Sequence, residues 1–279
     1  MKRNVGTTVF IGGGNMACAL IGGRIAARAS ASDFRVVEPA PTQRDALAAR
    51  FAGIHVVPET AADVVAGAAI VVLAVKPQHV RTAAHALAPH LRKVPVVLTI
   101  AAGIRITDLS RWLGGYRRIV RAMPNTPALV GAGISGVYAA PDVDTKARDA
   151  AAAILRAAGE VVWCSDEAAL DGVTGISGSG PAYVFYFLEA LEQAARELGF
   201  AAADARRLAY ATFSGAITLA QKSDAEPALL RAQVTSKGGT TERALATLEA
   251  NRVKAYIIAA AKDAAQRAQE LGDELGKEQ

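Results

Sequence analysis

FIGGGNMA, Phe10 to Ala17, is the stretch that decides the fold. It contains Gly12-x-Gly14-x-x-Ala17. At that spacing Gly12 permits a tight turn, Gly14 lets the backbone approach a pyrophosphate, and Ala17 lets a helix pack close to a strand. Backbone N–H groups at the start of the helix then suit a bound phosphate. The motif is weak alone, and a glycine-rich turn without a ligand is its plain alternative. Here it follows an apolar run, Thr8 to Ile11, and leads into helical spacing from Ala17 to Ala29. The context is therefore strand, turn, helix.

The same alternation continues outward. Strands are predicted at Phe34–Val37, His55–Val57, Ile70–Val75, Val96–Ile100, Arg118–Ala122, Gly136–Ala139 and Val161–Trp163. Helices are predicted at Thr42–Phe51, Val80–Leu91 and Ile106–Leu113. IVVLAV, Ile70 to Val75, has no polar break, as a strand buried on both faces requires. Alternation of this kind implies an α/β Rossmann-type doubly wound sheet over residues 1–165.

From residue 166 to 279 the strand pattern stops. Ala182–Leu198 is predicted helical, with Pro181 in its first turn and Gly199 at its end. Ala202–Lys222, Glu226–Val234 and a long Ala-rich helix, Thr241–Leu271, follow, with a frayed polar tail from Gly272. YVFYF, Tyr183 to Phe187, needs a cover. Either an intramolecular bundle supplies it, or an all-α dimerisation domain does.

Composition narrows the classes. The chain has 279 residues, 52% hydrophobic and 20% charged, enough for a substantial core. Its net charge is +5, but the basic residues form no stripe, which argues against nucleic acid. No run approaches the ~18 apolar residues of a membrane span. The start, MKRNVGTTVFIGGG, only partly mimics a secretory leader, since glycines break its apolar run. A cytoplasmic protein is expected. Cys18 and Cys164 read as buried thiols rather than a disulfide framework, and no metal spacing appears.

Several residues gather at predicted strand ends, where such sheets bind ligands. Glu38 follows the second strand and is placed to accept hydrogen bonds from an adenosine ribose. That favours NAD; Arg44 is either close enough to compensate for the charge of a 2′-phosphate or simply a solvated helix residue, so both cofactors remain open. Ala74, Val75, Lys76 and Pro77 end the fourth strand. Ala101, Ala102 and Gly103 end the fifth, and small residues there admit a nicotinamide. Asn125, in MPNTP, can satisfy backbone groups and is also placed to face the nicotinamide. A carbonyl substrate would need a proton donor. The four histidines, His55, His79, His85 and His90, all lie in the first half and none has a triad-like partner. An iminium accepts hydride without a strong side-chain acid, so positioning by N–H groups and hydroxyls suffices.

Together, FIGGGNMA, AVKP, IAAG, MPNTP, GISGSGPAYVFYFLEAL (Gly175 to Leu191) and TSKGGTTERAL (Thr235 to Leu245) resemble pyrroline-5-carboxylate reductase, nearly end to end. The resemblance implies reduction of 1-pyrroline-5-carboxylate to L-proline with NADP or NAD cofactors, the last step of proline synthesis. It implies a homodimer, and in some members a decamer of five dimers. It places Ile11, Gly12, Gly13, Gly14, Asn15 and Met16 on the pyrophosphate and Glu38 and Thr60 near the adenosine ribose. It places Gly238, Gly239, Thr240 and Thr241 on the substrate, with the Thr241 hydroxyl near the ring nitrogen. Asp224 matches a position that reaches the substrate from a partner subunit. A Gly-Gly pair before a helix lets consecutive N–H groups converge on one carboxylate. Ser179 either touches ligand or caps a helix. Lys237 stands where the family usually has proline, which leaves the loop less stiff.

Two other functions fit the same plan. A β-hydroxyacid dehydrogenase would carry a lysine on the first C-terminal helix, and Ala182–Leu198 has none. A non-catalytic dinucleotide sensor would bind the nucleotide and turn over nothing.

Overall fold

The computed structural model describes residues 6–277, so the charged start, residues 1–5, lies outside the described part. Eight strands form one sheet: β1 Thr8–Ile11, β2 Phe34–Val37, β3 His55–Val57, β4 Ile70–Leu73, β5 Val97–Thr99, β6 Ile119–Pro124, β7 Gly133–Ala139 and β8 Gly159–Trp163. Their order is β3-β2-β1-β4-β5-β6-β7-β8. All pairings are parallel except β6 with β7.

Helices alternate with these strands: α1 Asn15–Ala26, α2 Pro41–Arg50, α3 Ala62–Val65, α4 Pro77–Leu87, α5 Ile106–Trp112, α6 Thr145–Leu155 and α7 Ala169–Val173. Val9, Phe10, Val71, Val72 and Leu98 are wholly buried, which is why the inner strands read as unbroken apolar runs. One apolar cluster on α1 and α6 packs against Phe10, Val36, Val72 and Leu98. A second, with Val80, Leu87, Leu109 and Trp112, packs against Val9, Ile11, Val71 and Val97. Alternate side chains of each strand thus feed opposite layers.

The remaining helices are α8 Gly180–Glu197, α9 Ala202–Gln221, α10 Pro227–Gln233, α11 Thr240–Ala250 and α12 Val253–Lys277. The chain forms two compact units, residues 1–179 with 263–279, and residues 180–262. The first thus runs past residue 165 through α7 and a π-helical stretch, Thr174–Gly178, and takes in the end of α12. In the second, α8 packs along α9. Only Ala205 and Ala209 of its residues are buried, while Phe185, Tyr186, Ile217, Leu219 and Tyr256 stand exposed. This unit has no core of its own.

Four details depart from the sequence pattern. The long helix expected over Thr241–Leu271 is two helices. They break at Arg252, whose φ of 54° is left-handed, and the Asn251 amide donates to the Thr247 carbonyl. The tail from Gly272 is not frayed as far as Lys277. Gly272 packs against the Arg105 guanidinium, and Leu275 joins the second apolar cluster. Helices α3, α6 and α7 have no counterpart in the pattern; Asp144 caps α6, its Oδ1 accepting from the Ala147 N–H at 2.7 Å. Cys18 is buried as expected, but Cys164 is only half-buried.

Candidate functional site

The parallel register brings the first unit's motifs to one level. Ile11 lies beside both Val37 and Leu73, and Leu73 lies beside Thr99. Gly12, Glu38, Ala74 and Ile100 therefore leave the sheet side by side. The strand order reverses between β1 and β4, where such folds form their ligand crevice.

Gly12 has φ +100°, and a Cβ there would stand 2.8 Å from the Ala74 carbonyl oxygen. The Gly12 N–H donates to the Val37 carbonyl and the Ala74 N–H to the Ile11 carbonyl, both at 2.8 Å. Gly13 is held from three sides. Its N–H donates to Glu38 Oε2 at 3.0 Å. Its carbonyl accepts from Gln43 Nε2 at 2.6 Å and from the Cys18 thiol at 3.6 Å. Gly14 differs: it is exposed and its Cβ would meet nothing within 4 Å. It caps α1 without any side-chain bond, so the first-turn N–H groups of α1, Asn15 and Met16 among them, precede the internal ladder. A stiff loop, an open Gly14 and a helix start offering N–H donors fit a dinucleotide pyrophosphate.

Other expected cofactor residues lie as follows. Ile11 is buried in β1, so only its backbone faces the loop. Thr60 is half-buried between β3 and α3. Ala74 and Val75 are half-buried, and Lys76 is exposed as the residue before α4, with Pro77 first in that helix. Ala101 and Gly103 are buried and Ala102 half-buried. Gly103 has φ +73°. Asn125 is buried; its amide donates to the Ser177 carbonyl at 3.1 Å and its Oδ1 accepts from the Ile134 N–H at 2.9 Å. Its backbone-satisfying role is thus in place. Arg44 Nη1 donates to the carbonyls of Glu38 and Pro39 at 3.1 and 2.6 Å.

Sequence reasoning missed Gln43, which has no motif of its own, and a polar cluster behind the IAAG turn. Arg105 makes a two-pronged pair with Asp171, at 3.2 and 2.7 Å. Arg121, 4% exposed, pairs with Glu167 at 2.8 Å. Glu167 also accepts from the Ile106 N–H at 2.8 Å. This cluster ties the residues after Gly103 to α7. The two partners of each bond are more than 40 residues apart in sequence, so no spacing signals them. Burial pushes the Cys18 thiol up, which keeps it protonated beside the glycine loop. Among the described residues no group of His, Cys, Asp and Glu could hold a metal, and no helix is long and apolar enough to cross a membrane.

In the second unit, the turn before α11 contains Gly238 at φ +73°, a backbone shape that favours glycine. Its N–H donates to Glu242 Oε2 at 2.7 Å, and the Gly239 N–H donates to the Ser236 carbonyl at 3.0 Å. Both glycine N–H groups bond within the turn itself. The first in-helix bond runs from the Arg243 N–H to the Gly239 carbonyl, at 3.3 Å. The N–H groups of Thr240, Thr241 and Glu242 precede it and face the end of the helix. Thr241 is half-buried. Asp224 is exposed between α9 and α10. Ser179, half-buried, ends the first unit, its N–H donating to the Thr174 carbonyl at 2.8 Å.

Fold and site define a dinucleotide-dependent oxidoreductase of the Rossmann class with an all-helical partner unit. Residues 167–271 match the family described as pyrroline-5-carboxylate reductase dimerisation, and residues 7–103 match one described as NADP oxidoreductase, coenzyme F420-dependent. A Pseudomonas aeruginosa protein named pyrroline-5-carboxylate reductase is 45% identical over 96% of this chain and 97% of its own length. A solved pyrroline-5-carboxylate reductase from Coxiella burnetii superposes with TM-score 0.90 at 37% identity, covering 96% of this chain and 99% of that one. The Plasmodium falciparum pyrroline carboxylate reductase, crystallised with NADP bound, gives 0.84 at 26% identity, covering 95% and 98%. The chain belongs to the pyrroline-5-carboxylate reductase family. Its exposed helical faces and the dimerisation match make it a homo-oligomer.

Proposed function

We propose that this protein reduces 1-pyrroline-5-carboxylate to L-proline, with NADPH or NADH as the reductant. The observation that carries the reading is the near full-length identity with relatives of that name. Residues 1–165 serve the nucleotide, and residues 166–279 serve substrate and subunit contact. When bound, the reduced nicotinamide supplies the hydride that reduces the C=N bond.

The chain's own residues bind and orient. The glycine loop and the start of α1 hold the pyrophosphate, Glu38 and Thr60 the adenosine ribose, and the turns at Ala74–Pro77 and Ala101–Gly103 the nicotinamide side. Asn125 supports the latter by pinning its own loop. The N–H groups at the start of α11 hold the substrate carboxylate, favoured there by the helix dipole. The Thr241 hydroxyl accepts from the protonated ring nitrogen while the C=N bond is reduced. It then holds the product amine. No strong acid is required, because the iminium brings its own proton. Asp224 acts from a partner subunit. The exposed faces of α8 and α12 line a cleft of about 300 Å³ between Tyr183 and Ala260, which a second copy covers in a dimer, and five dimers form the larger assembly. The protein works in the cytoplasm.

A steady-state assay with pyrroline-5-carboxylate tests this. Oxidation of NADH or NADPH that depends on the imine supports it, and no turnover with either nucleotide refutes it.

A further inference from the structure

We propose that Glu38 makes this enzyme select NADH over NADPH. The inference rests on the nicotinamide-nucleotide reading above and adds to it the discrimination at the adenosine end.

Glu38 leaves β2 at the level of the glycine loop, its N–H donating to the Val57 carbonyl at 2.9 Å. Both carboxylate oxygens are held by backbone. Oε2 accepts from the Gly13 N–H and Oε1 from the Ala40 N–H, each at 3.0 Å. These donors come from the loop after β1 and the loop after β2, so the carboxylate cannot swing aside without leaving two N–H groups unpaired. Each oxygen keeps a second lone pair, which suits the two hydroxyls of an unmodified ribose.

A 2′-phosphate would meet this fixed negative charge with up to two of its own. The loop that follows does little to receive it. Pro39 and Pro41 have no N–H to give, and the Ala40 N–H is already on Glu38. The two guanidinium groups nearest in sequence are anchored on carbonyls. Arg35 Nη1 donates to Asp63, Val64 and Ala66 at 3.0, 2.7 and 2.9 Å. Arg44 Nη1 donates to Glu38 and Pro39. Arg44 therefore braces the acidic turn rather than reaching beyond it.

The test is equilibrium binding of NADH and NADPH to the full chain without imine, read by calorimetry, with 5′-AMP and 2′,5′-ADP as probes of the adenosine end alone. The wild type is expected to bind NADH at least about tenfold more tightly than NADPH, and 5′-AMP more tightly than 2′,5′-ADP, from like-charge repulsion at contact range. Glu38→Gln, which keeps the shape, should shrink both ratios by about tenfold or more, and Glu38→Ser should shrink them too. Equal or tighter binding of NADPH by the wild type overturns the proposal, as do unchanged ratios in both variants. If the imine is turned over while the ratios are flat, only this inference fails. If neither nucleotide binds, the functional reading fails with it.

Discussion

Replacing Gly12 by alanine separates folding from cofactor binding when set beside the same change at Gly14. At Gly12 the new Cβ stands 2.8 Å from the Ala74 carbonyl oxygen and 2.8 Å from Val75 Cγ1. The Ala74 carbonyl cannot retreat easily, because the Ala74 and Gly12 N–H groups are locked onto β1 and β2 by bonds of 2.8 Å. Forcing extra volume into packed structure costs about 1–3 kcal/mol. A positive φ adds roughly 1–2 kcal/mol for a residue with a Cβ. The sum, about 2–5 kcal/mol, lowers the melting temperature of a unit this size by on the order of 5–15 °C. At Gly14, where φ is −71° and the Cβ meets nothing within 4 Å, neither cost applies. Differential scanning fluorimetry with and without NADH reads both effects. Gly12→Ala should melt early and lose most of the stabilisation by nucleotide. Gly14→Ala should melt with the wild type yet gain less from nucleotide, because its methyl occupies the space a pyrophosphate needs. A Gly12→Ala protein with the wild-type melting temperature would refute the steric reasoning.

Three further outcomes are expected. Arg121→Ala removes the cation paired with Glu167, which keeps the Ile106 N–H, in a site where the arginine side chain is 4% exposed. It should cost about 3–5 kcal/mol, read as a lower urea midpoint. Thr241→Val should lower kcat/KM by roughly 10–100-fold through loss of one hydrogen bond to a charged group, with an unchanged melting temperature. Burial pushes the Cys18 and Cys164 thiols and the Tyr116 phenol up. The folded protein then keeps protons that the unfolded chain releases at alkaline pH, so this stability is complete near neutrality and falls as pH rises through the thiol and phenol ranges. A pH series of thermal melts checks the sign.

How much the sequence discloses follows from how local each cause is. The turn after β1 is legible because the demand on Gly12 arises within a few residues. The inner strands are legible because burial on both faces leaves no polar residue in Ile70–Leu73. The break at Arg252 is not, since neither glycine nor proline marks it and the left-handed turn falls on an exposed arginine. Helix α6 also carries local signals, a capping Asp144 and apolar residues at Ala147, Ala151, Ile154 and Leu155 on one helical face, but they are spread through an alanine-rich run. The Gly238–Glu242 bond is not legible, because Glu242 reaches past the capping Gly239 to the residue before it. The Arg105–Asp171 and Arg121–Glu167 pairs exist only once the chain has folded, as does the grip of Gln43 on Gly13.

Transfer of a deuteride is the sharpest test of the proposed reaction. Nicotinamide nucleotide deuterated at the reactive C4 position is incubated with the protein and pyrroline-5-carboxylate, and the product is read by mass spectrometry. Proline carrying one deuterium at C5, formed in step with nucleotide oxidation, is the predicted result; nucleotide oxidation that yields no deuterated proline would contradict it.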